Sequence, residues 1–316
     1  MSVEFITISD PSSGTCAKVF AGFGFNCFSF QVVRESKPLE ILWSAADFES
    51  GNERPSGSGI PVLFPFPGRI QGAKFEWECK SYQLQEGDGL GNAIHGFVHE
   101  RPWRIIEQLE NRVVGQFQAS IDDSKLLDLW PADFCITASY EIEANVLKSI
   151  FVIKNPDDKP LPFGLGTHPY FRVPIAGSSA DDCIVKLPVG EVWELDGMIT
   201  TGKRQSLENA EAYHRGLRFA DTSFDTVFGG LGSARGSCLS SIEDPGSGCR
   251  LIMTFDDSFK ACVVYNPQHR EAICIEPYTC VPDPIRLTDL GCDAGLRILA
   301  PAEAFEAKIE MRVEII

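Results

Sequence analysis

The C-terminal segment of the chain alternates between apolar and charged side chains. Its apolar members are Phe305, Ala307, Ile309, Met311, Val313 and Ile315, and the charged residues between them are Glu306, Lys308, Glu310, Arg312 and Glu314. A period of two is typical of a β-strand with one buried face and one solvated face, whereas an amphipathic helix repeats every ~3.6 residues. The sequence therefore predicts a half-buried strand here.

Similar alternation recurs along the chain, and long helical patterns are scarce. The runs 134–142 and 147–154 flank a short turn and predict a β-hairpin. Further predicted strands are 75–82, 251–255, 261–265 and 272–275. One or two helical turns are predicted at 124–130, and a mobile surface loop at the polar, glycine-rich segment 50–59. With no linker and no internal repeat, these patterns predict one all-β domain over residues 1–316, a large antiparallel β-sandwich.

Composition limits the partners of this chain. Its 316 residues include 28 lysines plus arginines and 44 aspartates plus glutamates, which gives a formal net charge of −16. An acidic surface repels nucleic acid and anionic membranes, whereas a neutral small molecule is compatible with it. No apolar run approaches the roughly 18 residues of a spanning helix, and no secretion signal is evident. We expect a cytoplasmic protein, either a monomer or a homodimer.

The cysteines predict neither a disulfide framework nor structural zinc. There are 11 of them, irregularly spaced and without a Cys-x-x-Cys pair. Reduced and mostly buried thiols fit this pattern best. His95 and His99 are four residues apart, but the glycine between them disfavours a helix and the glutamate of a zinc-protease motif is absent. We therefore expect no metal.

The segment Gly164-Leu165-Gly166-Thr167-His168-Pro169-Tyr170-Phe171 holds the first candidate catalytic group. Its glycines permit close backbone approach, and Pro169 stiffens the chain after the imidazole. An imidazole held in this way can exchange protons near neutral pH, although a core histidine is the simpler interpretation of His168 taken alone.

Glu276 is the second candidate, because it follows an apolar strand and precedes Pro277. Desolvation at such a position raises the pKa of a carboxyl group and makes it a better base near neutral pH. An ordinary charge at a strand end is the alternative.

Three further residues are candidates for ligand binding. Arg69 follows the rigid Pro-Phe-Pro-Gly sequence and offers several fixed donors, His95 precedes Gly96, and Asp225 lies between aromatic residues with Asp221 as a competitor. Each has a structural alternative: a packed surface arginine, a core histidine and a turn-capping aspartate.

Together these segments resemble the aldose 1-epimerase family, also called galactose mutarotases. The resemblance is carried, in order, by Phe66-Pro67-Gly68-Arg69-Ile70, His95-Gly96-Phe97, Gly166-Thr167-His168-Pro169-Tyr170-Phe171, Phe224-Asp225-Thr226-Val227-Phe228 and Ile275-Glu276-Pro277-Tyr278-Thr279. It implies a β-supersandwich fold and an enzyme without a cofactor that interconverts the anomers of a monosaccharide. It also implies that His168 is the general acid, that Glu276 is the general base, and that Arg69, His95 and Asp225 bind the sugar. Phe66, Tyr170 and Phe171 are expected to line the pocket.

Other functions stay open at this point. A hexose-6-phosphate mutarotase would need an additional cationic cluster for the phosphate. A sugar-binding or regulatory protein can share the same fold. A glycosidase would need two carboxylates that face one bond, whereas the adjacent pairs Asp122-Asp123, Asp181-Asp182 and Asp256-Asp257 fit solvated turns better.

Overall fold

The structure, a computed structural model, describes residues 5–176 and 179–316. This part of the chain contains 28 strands. They are β1 (Ile6–Asp10), β2 (Thr15–Phe20), β3 (Asn26–Arg34), β4 (Lys37–Glu40), β5 (Val62–Leu63), β6 (Arg69–Ile70), β7 (Lys74–Trp77), β8 (Lys80–Gln83), β9 (Ala93–Ile94), β10 (Arg104–Gln108), β11 (Arg112–Gln118), β12 (Cys135–Glu143), β13 (Val146–Lys154), β14 (Leu161–Phe163), β15 (Gly166–Thr167), β16 (Tyr170–Arg172), β17 (Ile184–Lys186), β18 (Glu191–Asp196), β19 (Ile199–Ser206), β20 (Leu217–Arg218), β21 (Asp225–Gly229), β22 (Ser233–Ala234), β23 (Ser237–Asp244), β24 (Cys249–Asp256), β25 (Ala261–Tyr265), β26 (Ala272–Tyr278), β27 (Arg297–Leu299) and β28 (Ala304–Ile315).

Helices are short. The α-helices are α1 (Ala119–Asp122), α2 (Ala210–Arg215) and α3 (Pro284–Asp289), and the 3-10 helices are Phe48–Ser50, Pro55–Gly57, Gln71–Ala73, Val98–Glu100, Ser124–Asp128, Ala180–Asp182 and Phe219–Asp221. The helical turns predicted at 124–130 correspond to one of the 3-10 helices. Among the residues that the structure describes, every helix is too short to cross a membrane.

Two large antiparallel sheets and one four-stranded sheet contain most of the strands, and β6–β9, β7–β8 and β14–β27 form three two-stranded sheets. A ten-stranded sheet has the order β10-β11-β12-β13-β28-β24-β23-β17-β20, with β22 paired to β23. An eight-stranded sheet has the order β19-β18-β21-β25-β26-β15-β5, with β16 paired to β26, and β1 to β4 form a third sheet. One hydrophobic core contains side chains from the three larger sheets, among them Ile8, Phe151, Ile273 and Ile309. The predicted all-β sandwich is confirmed.

The C-terminal strand lies inside the ten-stranded sheet, and one of its faces is buried, as its period of two predicts. β28 pairs with β13 on one side and β24 on the other. Its residues Ala307, Ile309, Met311 and Val313 are buried, and the charged residues between them face away from the core. The predicted hairpin of 134–142 and 147–154 is β12 and β13, in register from Cys135 opposite Lys154 to Glu143 opposite Val146.

One predicted strand is two strands in the structure. The segment 75–82 folds as the hairpin β7–β8, because the backbone turns at Glu78 and Cys79, whose φ angles are 47° and 63°. All eleven cysteines lie in the described part of the chain and are free, and most of them are buried.

The eight-stranded sheet positions the site because its two faces differ. Ile273 and Ile275 on β26 point into the main core, whereas Cys274, Glu276 and Tyr278 point to the opposite face. Successive residues of a strand face opposite sides, so a single strand supplies both core packing and polar side chains. The polar face is the floor of the cavity described next.

Candidate active site

A cavity of about 230 Å³ opens over the polar face of the eight-stranded sheet. The residues singled out in the sequence as its candidate catalytic and binding groups all line this cavity: Arg69, His95, His168, Asp225 and Glu276. Three of them lie on the strands β6, β21 and β26 and the other two lie in connections, so residues as far apart in sequence as positions 69 and 276 meet in one cavity. Asp221, the competitor of Asp225, ends a 3-10 helix outside the cavity lining.

Neighbouring strands place their side chains side by side on the cavity floor. Asp225 on β21 lies opposite Tyr265 on β25, and Val263 on β25 lies opposite Glu276 on β26. Side chains directly opposite each other in an antiparallel pair are about 4.5–5.5 Å apart at Cβ. The carboxyl groups of Asp225 and Glu276 therefore share one sheet face, with a single strand between them.

His168 and Glu276 form a buried pair at the base of the cavity. The His168 Nε2 and Glu276 Oε1 atoms are 3.3 Å apart, and the two side chains are 9% and 2% exposed. His168 lies between β15 and β16, where its backbone N–H donates to the Pro61 carbonyl, and its ring stacks on Tyr170 with centroids 4.7 Å apart. The ring has little freedom to rotate because Tyr170 covers its face.

Burial moves the pKa values of this pair in opposite directions. It lowers the pKa of His168 below the usual value and raises the pKa of Glu276 well above it. The pair can hold its one titratable proton in two ways. Either a neutral imidazole lies beside a neutral carboxylic acid, or an imidazolium lies beside a carboxylate. The pair therefore holds one proton over a wider pH range than the two isolated groups would, and the groups around it decide where that proton lies.

Tyr278 favours the carboxylate form of Glu276. Its hydroxyl donates a 2.6 Å hydrogen bond to Glu276 Oε2, which opposes the effect of burial on the Glu276 pKa. Oε1 is left to face His168. Oε2 is therefore held by Tyr278, and Oε1 faces the imidazole.

Arg69 is held in place by an ion pair behind the cavity. Its Nε donates to Asp88 Oδ2 at 2.9 Å, and the Asp88 side chain is 1% exposed. Burial raises the pKa of Asp88, but hydrogen bonds from Asn92, Leu90 and Arg69 outweigh this and lower it to about 2. An ionised Asp88 therefore fixes the guanidinium group, whose remaining N–H donors are available to the cavity.

His95 and His99 lie in different elements rather than on one face of a helix or strand. His95 follows β9 with a φ of 66°, and His99 belongs to the 3-10 helix Val98–Glu100. The His95 ring contacts those of His168 and His99 at centroid distances of 5.5 and 6.1 Å. Burial, and then the nearby His168 and His99, lower the pKa of His95 well below its usual value, so His95 is a neutral hydrogen-bonding group.

Gly96 lies where two backbone segments approach closely. A Cβ on Gly96 would lie 2.2 Å from the Phe64 carbonyl oxygen. Its φ of 72° also disfavours other residues. Gly96 therefore permits the close backbone approach to Phe64 that directs His95 toward the cavity.

Two of the aromatic residues expected in the pocket are in the core instead. Phe66 and Phe171 are 2% and 0% exposed, and neither lines the cavity. Tyr170 does line it, and Phe171 is the next residue of strand β16, so its side chain points to the opposite face. Phe66 stacks on Trp130.

The predicted mobile loop at 50–59 is partly a packed wall of the cavity. Ser56 and Ser58 are buried, and the Ser56 carbonyl accepts a 3.0 Å hydrogen bond from the Tyr170 hydroxyl. Arg54 precedes the 3-10 helix Pro55–Gly57 and lines the cavity. The composition of the segment indicated exposure, but tertiary hydrogen bonds hold its second half.

Several lining residues were missed by the sequence analysis. They are Arg54, Ser56, Leu195, Met198, Tyr265 and Tyr278. Tyr278 could have been found, because it lies two residues after Glu276 on the same face of a strand. Arg54 had no signal, since nothing in a polar glycine-rich stretch indicates which residue faces inward.

One set of side chains in the described part of the chain has the spacing of a metal site. The ligand atoms of His168, Cys274 and Glu276 all lie within 4.8 Å of one another, and the three residues are buried. His95 and His99, the pair considered from the sequence, do not belong to this set.

The fold and the cavity together define a class: all-β sandwich proteins with a buried imidazole–carboxylate pair in a polar cavity. Residues 5–312 match the sequence model of the aldose 1-epimerase family, and the chain belongs to that family.

Relatives of the chain are distant in sequence. The Escherichia coli (strain K12) proteins YihR and YphB are 22% identical to it over 225 and 265 residues, covering 70% and 80% of this chain and 70% and 82% of theirs. A galactose mutarotase-like protein from Clostridium acetobutylicum has a similar structure, with a TM-score of 0.86 and 23% identity over 100% of this chain and 99% of that one. The GalM/aldose epimerase homologue from C. elegans has a TM-score of 0.80 at 17% identity, covering 99% of both chains. These structural similarities show the fold.

Proposed function

We propose that the protein is an aldose 1-epimerase that interconverts the α and β anomers of a free aldohexose. The observation that carries this proposal is the 3.3 Å contact between His168 Nε2 and Glu276 Oε1 inside a polar cavity. Both oxygens that exchange protons in a cyclic hemiacetal are bonded to the same carbon. An acid and a base that serve them must therefore lie close together.

The reaction needs one proton removed and one delivered. Glu276 takes the proton from the anomeric hydroxyl, and His168 in its imidazolium form gives a proton to the ring oxygen. The C1–O5 bond breaks, a free aldehyde forms, and rotation about C1–C2 exposes the other carbonyl face. The reverse steps close the ring as the opposite anomer and return both protons, so no cofactor takes part.

The imidazolium–carboxylate form of the pair is the reactive form. Burial alone favours the neutral form, because it lowers the pKa of His168 and raises that of Glu276. The hydrogen bond from Tyr278 and those from the sugar hydroxyls favour the carboxylate. Ligand binding and activation of the base are therefore linked.

The remaining groups bind the sugar. Arg69 and His95 supply donors to ring hydroxyls, and the Asp225 carboxylate accepts from them. A planar guanidinium fixed by Asp88 gives these hydrogen bonds a defined direction. Tyr170 and Tyr265 supply aromatic surface for the apolar face of the ring.

Polarimetry on freshly dissolved α-glucose and α-galactose tests the proposal. We expect faster equilibration than in the protein-free solution, and a loss of about 10²–10⁴-fold in kcat for His168→Asn and for Glu276→Gln. His269→Asn and Glu194→Gln change the same residue types at exposed positions and should retain the activity. No acceleration with any common aldose would exclude the enzyme, and unchanged kcat in either site variant would exclude the assigned roles.

A phosphorylated hexose is a second candidate substrate because of Arg54. This exposed guanidinium lines the cavity, and among the described residues its side chain bonds only Ser56 Oγ at 3.0 Å and enters no ion pair. Together with Arg69 it provides two cations for an anion. Comparison of kcat/KM for glucose and glucose 6-phosphate decides between the substrates. If the phosphate ester is the substrate, Arg54→Ala should lower its kcat/KM selectively.

The glycosidase alternative has less support. None of the six aspartates in the adjacent pairs lines the cavity, and Asp122, Asp123 and Asp182 each form an ion pair with an arginine. Release of reducing sugar from an aryl glycoside would favour a glycosidase.

A sugar-binding protein without catalysis would bind glucose in the absence of any polarimetric effect.

A further inference from the structure

Cys274 is a buried thiol beside the acid–base pair that the epimerase reaction does not use. It precedes Glu276 by two residues on β26, so both side chains project from the same sheet face. Tyr170, which covers the His168 ring, is paired with Cys274 across the β16–β26 ladder. The thiol is fully buried and does not line the cavity, so it lies behind the pair.

The three ligand atoms converge. The His168 ring nitrogen, the Cys274 Sγ and the Glu276 carboxylate oxygen lie within 4.8 Å of one another. In a tetrahedral Zn²⁺ site with metal–ligand distances of about 2.0–2.3 Å, ligand atoms are roughly 3.3–3.8 Å apart. Side-chain movements of about 1 Å would close the set around an ion.

The donor types select the class of metal. One thiolate, one imidazole and one carboxylate suit Zn²⁺ and other soft or borderline cations, whereas Mg²⁺ and Ca²⁺ require oxygen ligands. Three protein ligands leave a fourth position that faces the cavity. Tyr278 already holds Glu276 Oε2, so it would orient the carboxylate while Oε1 binds the ion.

We propose that His168, Cys274 and Glu276 form an inhibitory binding site for a soft divalent cation such as Zn²⁺. The bound ion occupies the imidazole nitrogen and the carboxylate oxygen that would otherwise move protons, and it excludes the sugar from the cavity floor. Zn²⁺ and sugar therefore compete for the same groups. The kinetic part of this inference depends on the proposed function, whereas the binding part does not.

Cobalt spectroscopy tests the binding directly. The experiment uses Co²⁺ with the full chain in a Cys79→Ser background, because Cys79 is an exposed thiol. We expect a thiolate-to-cobalt charge-transfer band at one equivalent, which disappears in Cys274→Ala and persists in Cys262→Ala. Cys262 is a matched control, since it is equally buried on the adjacent strand β25 and lies outside the cluster. Cys274→Ser, which keeps the side-chain volume, replaces Cys274→Ala if the latter does not fold.

Inhibition of mutarotation is the second readout. We expect Zn²⁺ to raise the apparent KM for the sugar, Mg²⁺ to have no effect, and Cys274→Ala to weaken Zn²⁺ inhibition by at least about 10-fold. The inference is wrong if no cobalt–thiolate band forms, if the band is unchanged in Cys274→Ala, or if Zn²⁺ inhibits that variant equally. A protein without mutarotase activity that still shows the Cys274-dependent band would contradict the proposed function and leave the metal site supported.

Discussion

The behaviour of the His168–Glu276 pair with pH differs from that of either residue alone. An isolated imidazole with a pKa of about 6.5 and an isolated glutamate with a pKa of about 4.3 would give the reactive form only between these values. In the buried pair the first proton leaves at lower pH, because burial lowers the pKa of His168, and the last leaves at higher pH, because burial raises that of Glu276. The singly protonated pair therefore spans a wider range.

This predicts a broad plateau in the pH profile of kcat/KM, which reports the free protein. We expect kcat/KM to stay nearly constant through about pH 6.5, where an ordinary histidine would lose its proton. Polarimetry in a series of buffers, corrected for the uncatalysed rate, measures it. A half-titration near pH 6.5 would show that the two groups titrate independently.

The Tyr278 hydroxyl donates the hydrogen bond that favours the basic, carboxylate form of Glu276. Its removal in Tyr278→Phe leaves Glu276 buried with one fewer donor, so the Glu276 pKa rises further and less of the carboxylate form is present. A hydrogen bond to a charged group contributes about 1.5–3 kcal/mol, so we expect kcat to fall by roughly 10–100-fold.

Tyr140→Phe is the matched control for this variant, because it removes another buried tyrosine hydroxyl in the core outside the cavity. Its kcat should equal that of the unmodified protein. If both variants lose activity equally, the effect is one of general packing and not of the Glu276 hydrogen bond.

At the scale of elements, strand β26 shows what a period of two can and cannot predict. The sequence predicted an apolar strand at 272–275 with Glu276 after it, whereas the structure extends the strand to Tyr278 and shows that Ile273 and Ile275 face the core and Glu276 the opposite side. Which strand lies beside it is fixed by long-range pairing with β25, β15 and β16. Local sequence contains no record of that pairing, so the family motifs, and not the periodicity, indicated that His168 and Glu276 belong together.

The cavity walls were harder to predict than its floor. Arg54 and Ser56 lie in a segment whose composition is that of an exposed loop, and their placement depends on hydrogen bonds to distant residues such as Tyr170. Phe66 and Phe171 were assigned to the pocket from their motifs, yet both pack in the core. A motif identifies a segment, whereas the direction of each side chain follows from the strand in which it lies.

Close packing between β15 and β26 yields an element-scale prediction. A Cβ on Gly166 would lie 2.5 Å from Tyr278 Cδ1 and 2.6 Å from Pro67 Cβ. Gly166→Ala should displace the Tyr278 ring from Glu276, with a loss of about 1–3 kcal/mol in stability and roughly a 10-fold fall in kcat. Urea unfolding and polarimetry measure the two effects.

Gly232→Ala is the control for this substitution, because its added Cβ meets only the Pro188 carbonyl oxygen, at an ordinary 3.9 Å. Gly232→Ala should change neither the free energy of unfolding nor kcat. Retention of full activity in Gly166→Ala would mean that the two strands can separate without moving Tyr278.

At the scale of the whole molecule, one core joins the sheets, and the acid–base pair is buried on the opposite face of the eight-stranded sheet. Protonation of the pair therefore contributes to the pH dependence of the free energy of unfolding. Below about pH 6.5 and above about pH 4.5, the unfolded chain holds one proton on His168 and none on Glu276, which equals the single proton of the folded pair. In this window the pair leaves the stability unchanged.

Above about pH 6.5 the balance changes, because unfolded His168 and Glu276 hold no proton while the folded pair still holds one. The folded state then binds more protons, so the free energy of unfolding decreases as pH rises, by up to about 1.4 kcal/mol per pH unit. His95, whose pKa is lowered well below its usual value, acts on the other side: it makes the protein less stable as pH falls below about 6.5. The contribution of these three groups to the free energy of unfolding is therefore greatest near pH 6.5.

Urea unfolding between pH 5 and pH 9 tests this expectation. The double variant His168→Asn, Glu276→Gln removes the shared proton, so its free energy of unfolding should fall less steeply above about pH 6.5 than that of the unmodified protein. The many surface charges are the same in both proteins, so their contribution cancels in the difference. Equal slopes above pH 6.5 would show that the folded pair releases its proton as readily as the unfolded chain does, and a plateau in the activity profile would then need another cause.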